Sequence, residues 1–474
     1  MSELEAKRVR DRISALPDAI LCHILSFLDR TEDAVKTSVL SRRWKKIWGS
    51  VPTLVFSDED NTDNFVRLVD NVLFFRDSID IQKFEYRSLC VDDFDRIYGW
   101  IGAAIRRNVV ELDLSIQNYG DDDQLRVFEL PDIVFTCKTL MVLTLSSNFI
   151  TNPPASGCFP SLKSLDVQIG HPVNKSVENV LTCCPVLESL RIGGDHGRHG
   201  DDPILNFNVS APKLKMLRIF WSSYDVYEKC CKFHINAPKL EDFELSQEPP
   251  IDCFLENSET LVRVRITLRD PHHDNSADAD HHFAIHGTAL LAGISSARSL
   301  CLSAHRLKEC ILPIFNKLSR LELNLFNCYY WELLKKLLNR SPNLEHFVFE
   351  LTKCECGESS DHQWSPPQSV PSCLFSQLKT ISIRGFEGKV DQMDVAKYLL
   401  ENGEVLKKMT IYYKDQLCKK EELHKEFSMF QWSSETCQVE ILRDTRDTRV
   451  PDEEKVALLV LIIFASKRII RTQY

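Results

Sequence analysis

The chain has 474 residues, and at about 150 residues per domain this length predicts about three domains or one repetitive array. Hydrophobic residues make up 43% and charged residues 27%, which excludes a collagenous, mucin-like or wholly disordered chain. The net charge of −10 gives no general electrostatic attraction to nucleic acid. The 17 cysteines form no CxxC pair, and the first fifteen residues contain no apolar signal core. These features predict free thiols in a reducing compartment, the cytoplasm or the nucleus.

The first part of the chain differs in charge from the rest. Residues 1–50 carry ten basic and seven acidic side chains, a charge of +3, which leaves −13 for the remainder. Apolar residues at three- and four-residue spacing predict an amphipathic helix from Pro17 to Leu28. Thr31 and Ser41 are suitable caps for a second and a third helix. Three short helices bury little surface alone, so such a unit normally needs a partner.

These residues resemble an F-box, with one half of the motif in residues 11–28 and the other in residues 37–44. In that family the helices bind a Skp-type adaptor, which links the F-box protein to a cullin ubiquitin ligase. The resemblance implies that eight residues form the adaptor-facing and supporting apolar surface: Leu16, Pro17, Ile20, Leu21, Ile24, Leu25, Val39 and Trp44. The alternative is that they form only the core of a small helical unit. A basic rim would favour encounter with an acidic adaptor.

A second pattern, apolar residues at positions n, n+3 and n+5, recurs thirteen times between residues 81 and 411. The copies begin at Ile81, Val109, Leu140, Leu162, Leu187, Leu214, Leu240, Leu261, Ala297, Leu318, Leu344, Leu378 and Leu406. Their mean spacing of about 27 residues is typical of leucine-rich repeats. Five copies carry a proline two positions earlier: Pro160, Pro185, Pro212, Pro238 and Pro342. Each repeat is predicted to be a short strand and a return, stacked into a curved solenoid; unrelated strands of a globular sheet are the alternative. Residues 183–190 and 341–347 resemble the repeats of plant F-box leucine-rich-repeat proteins.

One residue of each copy, between the last two apolar positions, must face the exposed side of the sheet, because side chains alternate along a strand. With strands about 4.8 Å apart, Arg191 and Arg218 would be neighbours, and Glu244 would lie between Arg218 and Arg265. Adjacent like charges are unfavourable without a counter-charge. One hypothesis is that these four residues help hold an acidic or phosphorylated part of a target; the ordinary interpretation of such surface charges, a solvated charged face, is the favoured alternative.

The C-terminal part resembles the FBD domain of the same plant family, with its opening at residues 373–388 and its helix and second strand at residues 395–411. This unit would close the exposed end of the solenoid, and an independent binding role is the alternative. A tail with ten unbroken apolar residues, 456–465, departs from the family pattern. It is shorter than the about 20 residues that span a bilayer. We expect a buried terminal element or a non-family tail, with a weak membrane anchor as the alternative.

Several segments could suggest an enzyme. The His- and Asp-rich segment 270–286 could hold a metal, but no helical or strand spacing fixes its ligands, so we interpret it as a mobile insertion between repeats. The set Cys354, Cys356, His362 and Cys373 is a weak zinc pattern for the same reason. The glycine-rich segment 193–197 lacks the Lys-Ser/Thr of a phosphate loop. The sequence therefore predicts no catalytic residue, no metal and no cofactor, although a metal-dependent hydrolase remains a third hypothesis.

The sequence predicts an α/β protein with an F-box at 8–54, a repeat solenoid at 80–365, an FBD cap at 370–442 and an atypical tail at 443–474. The resemblance implies a substrate-recognition subunit of a Skp-cullin-F-box ubiquitin ligase, with the repeats binding a protein target. The alternative is an interaction scaffold whose adaptor never engages a cullin. We expect no nucleic-acid partner.

Overall fold

A computed structural model of the chain describes most of it, apart from both ends and several connecting segments. The described residues are 13, 15–58, 65–76, 80–88, 93–116, 128–146, 149–150, 158–169, 181, 184–196, 206–223, 232–247, 252–268, 277–304, 307, 310–326, 330–352, 364–414 and 420–444. The chain divides into two compact units, 1–318 and 319–474. The apolar run 456–465 lies outside the described residues, so its prediction is not tested.

The first unit begins with three short helices: α1 at Asp18–Leu25, α2 at Thr31–Lys36 and α3 at Arg42–Ile47, with 3₁₀ turns at Thr37–Val39 and Trp48–Ser50. Helix α1 is shorter than predicted, because Pro17 is extended and the chain leaves the helix at Ser26. Thr31 is the first helical residue and not the cap; its buried hydroxyl accepts a hydrogen bond from the Val55 amide. Ser41 caps α3 as predicted, by accepting from the amide of Trp44.

The main sheet of the first unit contains ten parallel strands within the described residues. They are β1 Thr53–Ser57, β2 Lys83–Ser88, β3 Glu111–Ile116, β5 Val142–Ser146, β7 Ser164–Ile169, β8 Ser189–His196, β10 Met216–Ser223, β12 Asp242–Gln247, β14 Arg263–Leu268 and β15 Ser299–Ala304. The nine strands after β1 coincide with nine predicted copies, and all three apolar positions of each copy are buried. The predicted α/β repeat fold is therefore confirmed.

Proline has a defined role at the start of a repeat. The carbonyl oxygens of Phe159, Ala211 and Ala237 accept from the amides of Leu162, Leu214 and Leu240, respectively. Each of these bonds closes a four-residue turn with proline in its second position, where the fixed φ of proline is favourable. The turn places the first apolar residue of the copy in the core and directs the chain into the strand.

The returns between strands differ along the first unit. Helices α4 Phe65–Phe75, α5 Phe94–Ile105, α6 Asp132–Phe135 and α7 Ala277–Gly293 serve some repeats, and short strands β4 Phe128–Glu129 and β6 Phe149–Ile150 form a pair. Between β8 and β14 the returns form a second parallel sheet from β9 Asn206–Ser210, β11 Lys232–Asn236 and β13 Asp252–Glu256. The inward side chains of this sheet, such as the stacked rings of Phe207 and Phe233 with centroids 4.9 Å apart, are buried.

The interpretation of 270–286 as a loop is wrong from residue 277 onward, because α7 occupies residues 277–293. This helix packs on β13. Its last residue, Gly293, lies against the Leu255 side chain, and its carbonyl accepts from the Ser258 hydroxyl. Leu290 and Leu291 are buried. Tertiary packing thus overrides the weak helix propensity of a segment rich in Asp and His.

The second unit contains five parallel strands in its described part: β16 Arg320–Phe326, β17 His346–Thr352, β18 Thr380–Phe386, β19 Lys408–Tyr413 and β20 Gln438–Arg443. Its helices are α8 Tyr330–Asn339, α9 Ser372–Ser376, α10 Val390–Asn402 and α11 Lys420–Ser428. The two strands predicted for the FBD-like region, β18 and β19, pair directly with each other, and β18 also pairs with β17. The FBD-like region therefore continues the sheet of the preceding repeats.

Each unit contains a buried thiol that is expected to be unreactive in the folded chain, Cys253 in the first unit and Cys373 in the second. Burial raises the pKa of Cys373 to about 12 and raises that of the fully enclosed Cys253 as well. Only the thiolate is nucleophilic. At pH 8 we expect both residues to resist iodoacetamide in the folded chain and to react in urea, as measured by peptide mass mapping. Rapid modification of Cys373 without denaturant would contradict this packing.

Candidate interaction surfaces

The three N-terminal helices enclose a small core of their own. Six buried side chains form it: Leu21, Leu25, Ala34, Trp44, Ile47 and Val51. The start of α1 is held to α3 by Arg43, whose guanidinium bonds the Asp18 carboxylate at 2.7 Å and donates to the Leu16 carbonyl. The three helices are therefore joined by a packed core and by an ion pair of their own.

The eight residues implied for adaptor binding divide into two sets. Leu21, Leu25 and Trp44 are buried in the core, and Leu16 is partly buried against it. The other four residues are exposed: Pro17, Ile20, Ile24 and Val39. Of these, Val39 is 86% exposed. The exposed set can contact a partner, whereas the buried set can act only by maintaining the shape of the unit.

Three further apolar residues are exposed here and were not among the eight. Phe27 is 73% exposed, and Ile13 and Leu40 are also exposed. In the sequence, Ile20, Ile24 and Phe27 follow one another at i, i+4 and i+7, the spacing of one helix face. In the structure, Ile20 and Ile24 lie on α1 and Phe27 lies in the turn just after it, and we call these three residues the apolar ridge. This spacing could have revealed Phe27 from the sequence. Isolated exposed apolar residues are ordinary, but a row of them indicates a protein-binding surface.

A basic margin accompanies this surface. Arg42, Lys45 and Lys46 in α3 are exposed. They belong to the segment that gives residues 1–50 their charge of +3 in a chain of net charge −10. Such a margin speeds encounter with an acidic partner more than it adds affinity.

The second candidate surface is the exposed face of the main sheet in the first unit. Strand pairing places Asp166 opposite Arg191, Arg191 opposite Arg218, Arg218 opposite Glu244 and Glu244 opposite Arg265. The predicted neighbour relations are therefore confirmed. We call these five residues the charged column.

The charged column supplies its own counter-charges. A carboxylate oxygen of Asp166 lies 3.6 Å from Arg191, and the two Glu244 oxygens lie 3.4 Å from Arg218 and 3.4 Å from Arg265. Burial raises the pKa of Asp166, whereas Arg191 and Arg218 act in the opposite direction. These distances are long for charge-assisted hydrogen bonds, which are usually about 2.7–2.9 Å. The two carboxylates thus offset two of the three arginine charges, and none of the arginines is tightly bonded to them.

Arg191 also contacts an aromatic side chain. Its guanidinium carbon lies 4.7 Å from the centroid of the Phe220 ring, in the adjacent strand. Gly193, which has no side chain, lies opposite Phe220 in the strand pairing. A guanidinium stacked on a ring is held in place at little entropic cost and keeps its outer edge for a ligand.

The segments considered for metal or cofactor binding do not form such a site in the part of the chain that can be described. Cys354, Cys356 and His362 lie outside the described residues, whereas Cys373 is buried. Gly193 and Gly194 lie within strand β8 and not in a loop. Over the described ranges, no three His, Cys, Asp or Glu side chains are grouped suitably for a metal.

Comparison with known proteins decides the family. The F-box domain model matches residues 13–56, the model of the LRR repeats of FBD-associated F-box protein At5g56370 matches residues 97–268, and the FBD model matches residues 366–411. Probable FBD-associated F-box protein At1g32375 of Arabidopsis thaliana is 30% identical over 439 residues, which cover 90% of this chain and 99% of the relative. F-box/LRR-repeat protein 13 of the same plant is 32% identical over 451 residues, covering 89% and 95%. The chain belongs to the F-box/FBD/LRR-repeat family.

For F-box/LRR proteins the family-level role is that of an adaptor and not of an enzyme, and an F-box in general implies binding to a Skp-type protein. The apolar ridge lies inside the F-box match, and Asp166 to Arg265 lie inside the repeat match. Among the helices of the described segments, none has the length and apolar character to cross a membrane.

Proposed function

We propose that this F-box/FBD/LRR-repeat protein is the substrate-recognition subunit of a Skp-cullin-F-box ubiquitin ligase. The apolar ridge carries the proposal, because Ile20, Ile24 and Phe27 are exposed on a helical unit whose own core is already complete. Burial of such side chains against an adaptor contributes roughly 25 cal/mol for each Å² of apolar surface removed from water. The reducing compartments predicted from the cysteines, cytoplasm and nucleus, suit this role.

The mechanism is proximity. The F-box fixes the chain to the adaptor and cullin, and the repeats hold the target at a limited distance from the ubiquitin-loaded enzyme. Tethering of this kind converts transfer to a target lysine from an encounter in solution into a local event at high effective concentration. The chain itself then needs no catalytic group.

A ternary complex distinguishes this function from that of a non-degradative scaffold. The purified full chain is mixed with a Skp-type adaptor and a cullin, and size-exclusion chromatography with mass detection measures the composition of the complex. The ligase function requires all three proteins in one peak. A complex of chain and adaptor that excludes the cullin would favour the scaffold.

We further propose that the exposed sheet face binds the target through Arg191, Arg218, Glu244 and Arg265. The long, partly exposed ion pairs support this, because an acidic or phosphorylated segment can approach the outer guanidinium edges without first breaking short bonds. Arginine also suits phosphate and carboxylate better than lysine, since its planar fork donates two parallel hydrogen bonds.

Reversing two charges tests the target surface. With Arg191→Glu and Arg218→Glu, we expect proximity labelling of F-box-dependent targets to fall by at least about tenfold, since each lost charge pair at an interface is worth about 2 kcal/mol or more. Adaptor affinity should not change. The matched control is Lys213→Glu with Lys239→Glu, two exposed lysines in the turns that precede β10 and β12. Unchanged labelling by the arginine variant would contradict the proposal and would indicate that this sheet face is only a solvated charged surface.

A further inference from the structure

The last strand of the second unit, β20, is an edge strand within the described residues. It pairs with β19 and ends the strand order of the sheet. The Gln438 amide donates to the Lys407 carbonyl at 3.0 Å, on the β19 side. Because alternate residues of a parallel strand face the same neighbour, the N–H and C=O groups of Val439 and Ile441 point to the other side, the open edge. Such an edge can accept a further strand.

The core beneath β20 is also incomplete. In strands β16 to β19, the residue at position n+3 of each copy is at most 1% exposed: Leu321, Phe347, Ile381 and Met409. The equivalent residue of β20, Val439, pairs with Met409 but is only partly buried. A repeat array needs a terminal unit that covers its last core layer. The described strands therefore leave the last core layer of the second unit partly uncovered.

The chain that follows β20 contains one more copy of the repeat pattern. Residues 445–474 lie outside the described residues, but in the sequence Leu459, Ile462 and Phe464 have the spacing n, n+3 and n+5. Ile462 comes 23 residues after Val439. Between the other copies, the spacing of successive n+3 residues ranges from 21 to 36 residues. The new copy therefore has the period of the array.

The connection and the residue types also suit a parallel strand. Strands β12, β14 and β19 begin at position n+2, which is Leu461 in the new copy. Between the end of β20 at Arg443 and Leu461 there are 17 residues, as many as between β5 and β7. A parallel crossover needs about a dozen or more. Residues 460–464 are β-branched, leucine or phenylalanine, and β-branched and aromatic residues are enriched in strands.

We propose that residues 461–466 form a further parallel strand on the open edge of β20 and close this end of the sheet. In this arrangement Ile462 lies beside Val439 and covers its exposed part. Phe464 lies beside Ile441 in the same core. Because the segment belongs to the same chain, its concentration at the edge is higher than that of a free partner. The inference concerns the end of the array and does not depend on the ligase role.

Disulfide cross-linking tests the register. In the proposed pairing, Glu440 and Ile463 are neighbours on the exposed side of the sheet, with Cα atoms about 4.8 Å apart, which is within disulfide range. In the full chain, Glu440→Cys/Ile463→Cys is expected to form an intrachain disulfide on mild oxidation, as identified by peptide mass mapping. The matched control Glu440→Cys/Ile462→Cys places the second thiol on the opposite face and should cross-link at least about tenfold less. Equal cross-linking of both pairs, or of neither, would overturn the proposal.

Hydrogen exchange tests what the added strand does for β20. In the unmodified chain we expect slow exchange of the Val439 and Ile441 amides, because they then donate to the added strand. Ile462→Asp/Phe464→Asp should speed this exchange by at least about tenfold, since a carboxylate without a partner is not tolerated in the core. Exchange of β16 and β17 shows whether the unit stays folded, and the cross-linking result does not depend on this variant.

Leu461→Asp/Ile463→Asp is the matched control for hydrogen exchange. Both side chains face the exposed side in the proposed strand, so slow exchange in β20 should remain. Fast exchange of Val439 and Ile441 in the unmodified chain would overturn the proposal. So would slow exchange that appears only at high protein concentration, which would assign the edge to a second copy. Flotation of the chain with phosphatidylcholine and phosphatidylserine vesicles, lost in both Asp variants, would assign the segment to a membrane and would overturn it as well.

Discussion

Replacing Ile20 and Ile24 by Asp is expected to raise the Kd for a Skp-type adaptor by at least about a hundredfold. Both side chains are exposed on one face of α1, so the change removes no core contact. In the complex, however, each carboxylate would be desolvated inside an apolar interface without a partner. Isothermal titration calorimetry with the full chain measures the loss, and Tm should remain within about 2 °C because exposed substitutions have small effects on stability.

Leu21→Ala is the matched control from the same helix. Leu21 is fully buried, so we expect the F-box unit to lose about 2–4 kcal/mol of unfolding free energy through the cavity that remains. Adaptor binding by this variant should fail only under conditions in which the unit unfolds. If Ile20→Asp/Ile24→Asp bound the adaptor with unchanged affinity, the apolar ridge would not be the contact surface.

The largest effect on the stability of the second unit is expected from Gly385→Ala. Gly385 has φ of +68° in β18, at a register shift between Ile383 and Phe386. A Cβ atom there would collide with the carbonyl oxygen of Leu351 in the adjacent strand. The left-handed backbone alone costs an L-residue about 1–2 kcal/mol, and the collision must displace a paired strand. We expect a total loss of about 3 kcal/mol or more, measured by urea denaturation with hydrogen exchange of residues 380–386.

Gly99→Ala provides a control of opposite sign. Gly99 lies in α5, and a Cβ atom there would meet no other atom within 4 Å. Alanine should stabilise that helix by about 0.5–1 kcal/mol, because glycine loses more backbone entropy on folding. Equal stability of the Gly385→Ala protein and the unmodified chain would show that β18 lacks the bulge described here.

The repeat pattern predicted the sheet because its period follows directly from burial. All thirteen copies form strands, including the copy at Ala297, where a small side chain occupies a fully buried position. A fourteenth copy was present in the sequence and missed: Val51, Leu54 and Phe56 have the same spacing and are buried in and before β1. This copy directly follows the F-box helices, and its first residue, Val51, packs in the F-box core, so the start of the copy is hard to recognise.

The second sheet of the first unit was not predicted, although a weak signal exists. Phe207 and Val209 alternate with polar residues before Pro212, as Phe233 and Ile235 do before Pro238. Five residues with two apolar positions are too few to distinguish a strand from a loop by period alone. These strands are stabilised by pairing with one another and by packing on the main sheet, and such long-range contacts are not visible in a local pattern.

The candidate surfaces were predictable to different extents. Strand register fixes which charged residues are neighbours, so the order of the charged column was accessible from the sequence. The pairing of Glu244 with both Arg218 and Arg265 depends on side-chain conformations and was not. In the F-box, the motif identified the right segment but could not separate the buried Leu21 from the exposed Ile20, which requires knowledge of how three helices pack.

The abundance of bound targets in cells tests the central claim most directly. Cells expressing the unmodified chain or the Ile20→Asp/Ile24→Asp chain, each fused to a proximity-labelling enzyme, are compared by quantitative mass spectrometry with and without proteasome inhibition. A substrate-recognition subunit predicts that both chains label the same targets, and that these targets accumulate when the F-box variant is expressed or the proteasome is inhibited. Targets that bind both chains at equal abundance under all conditions would contradict the account.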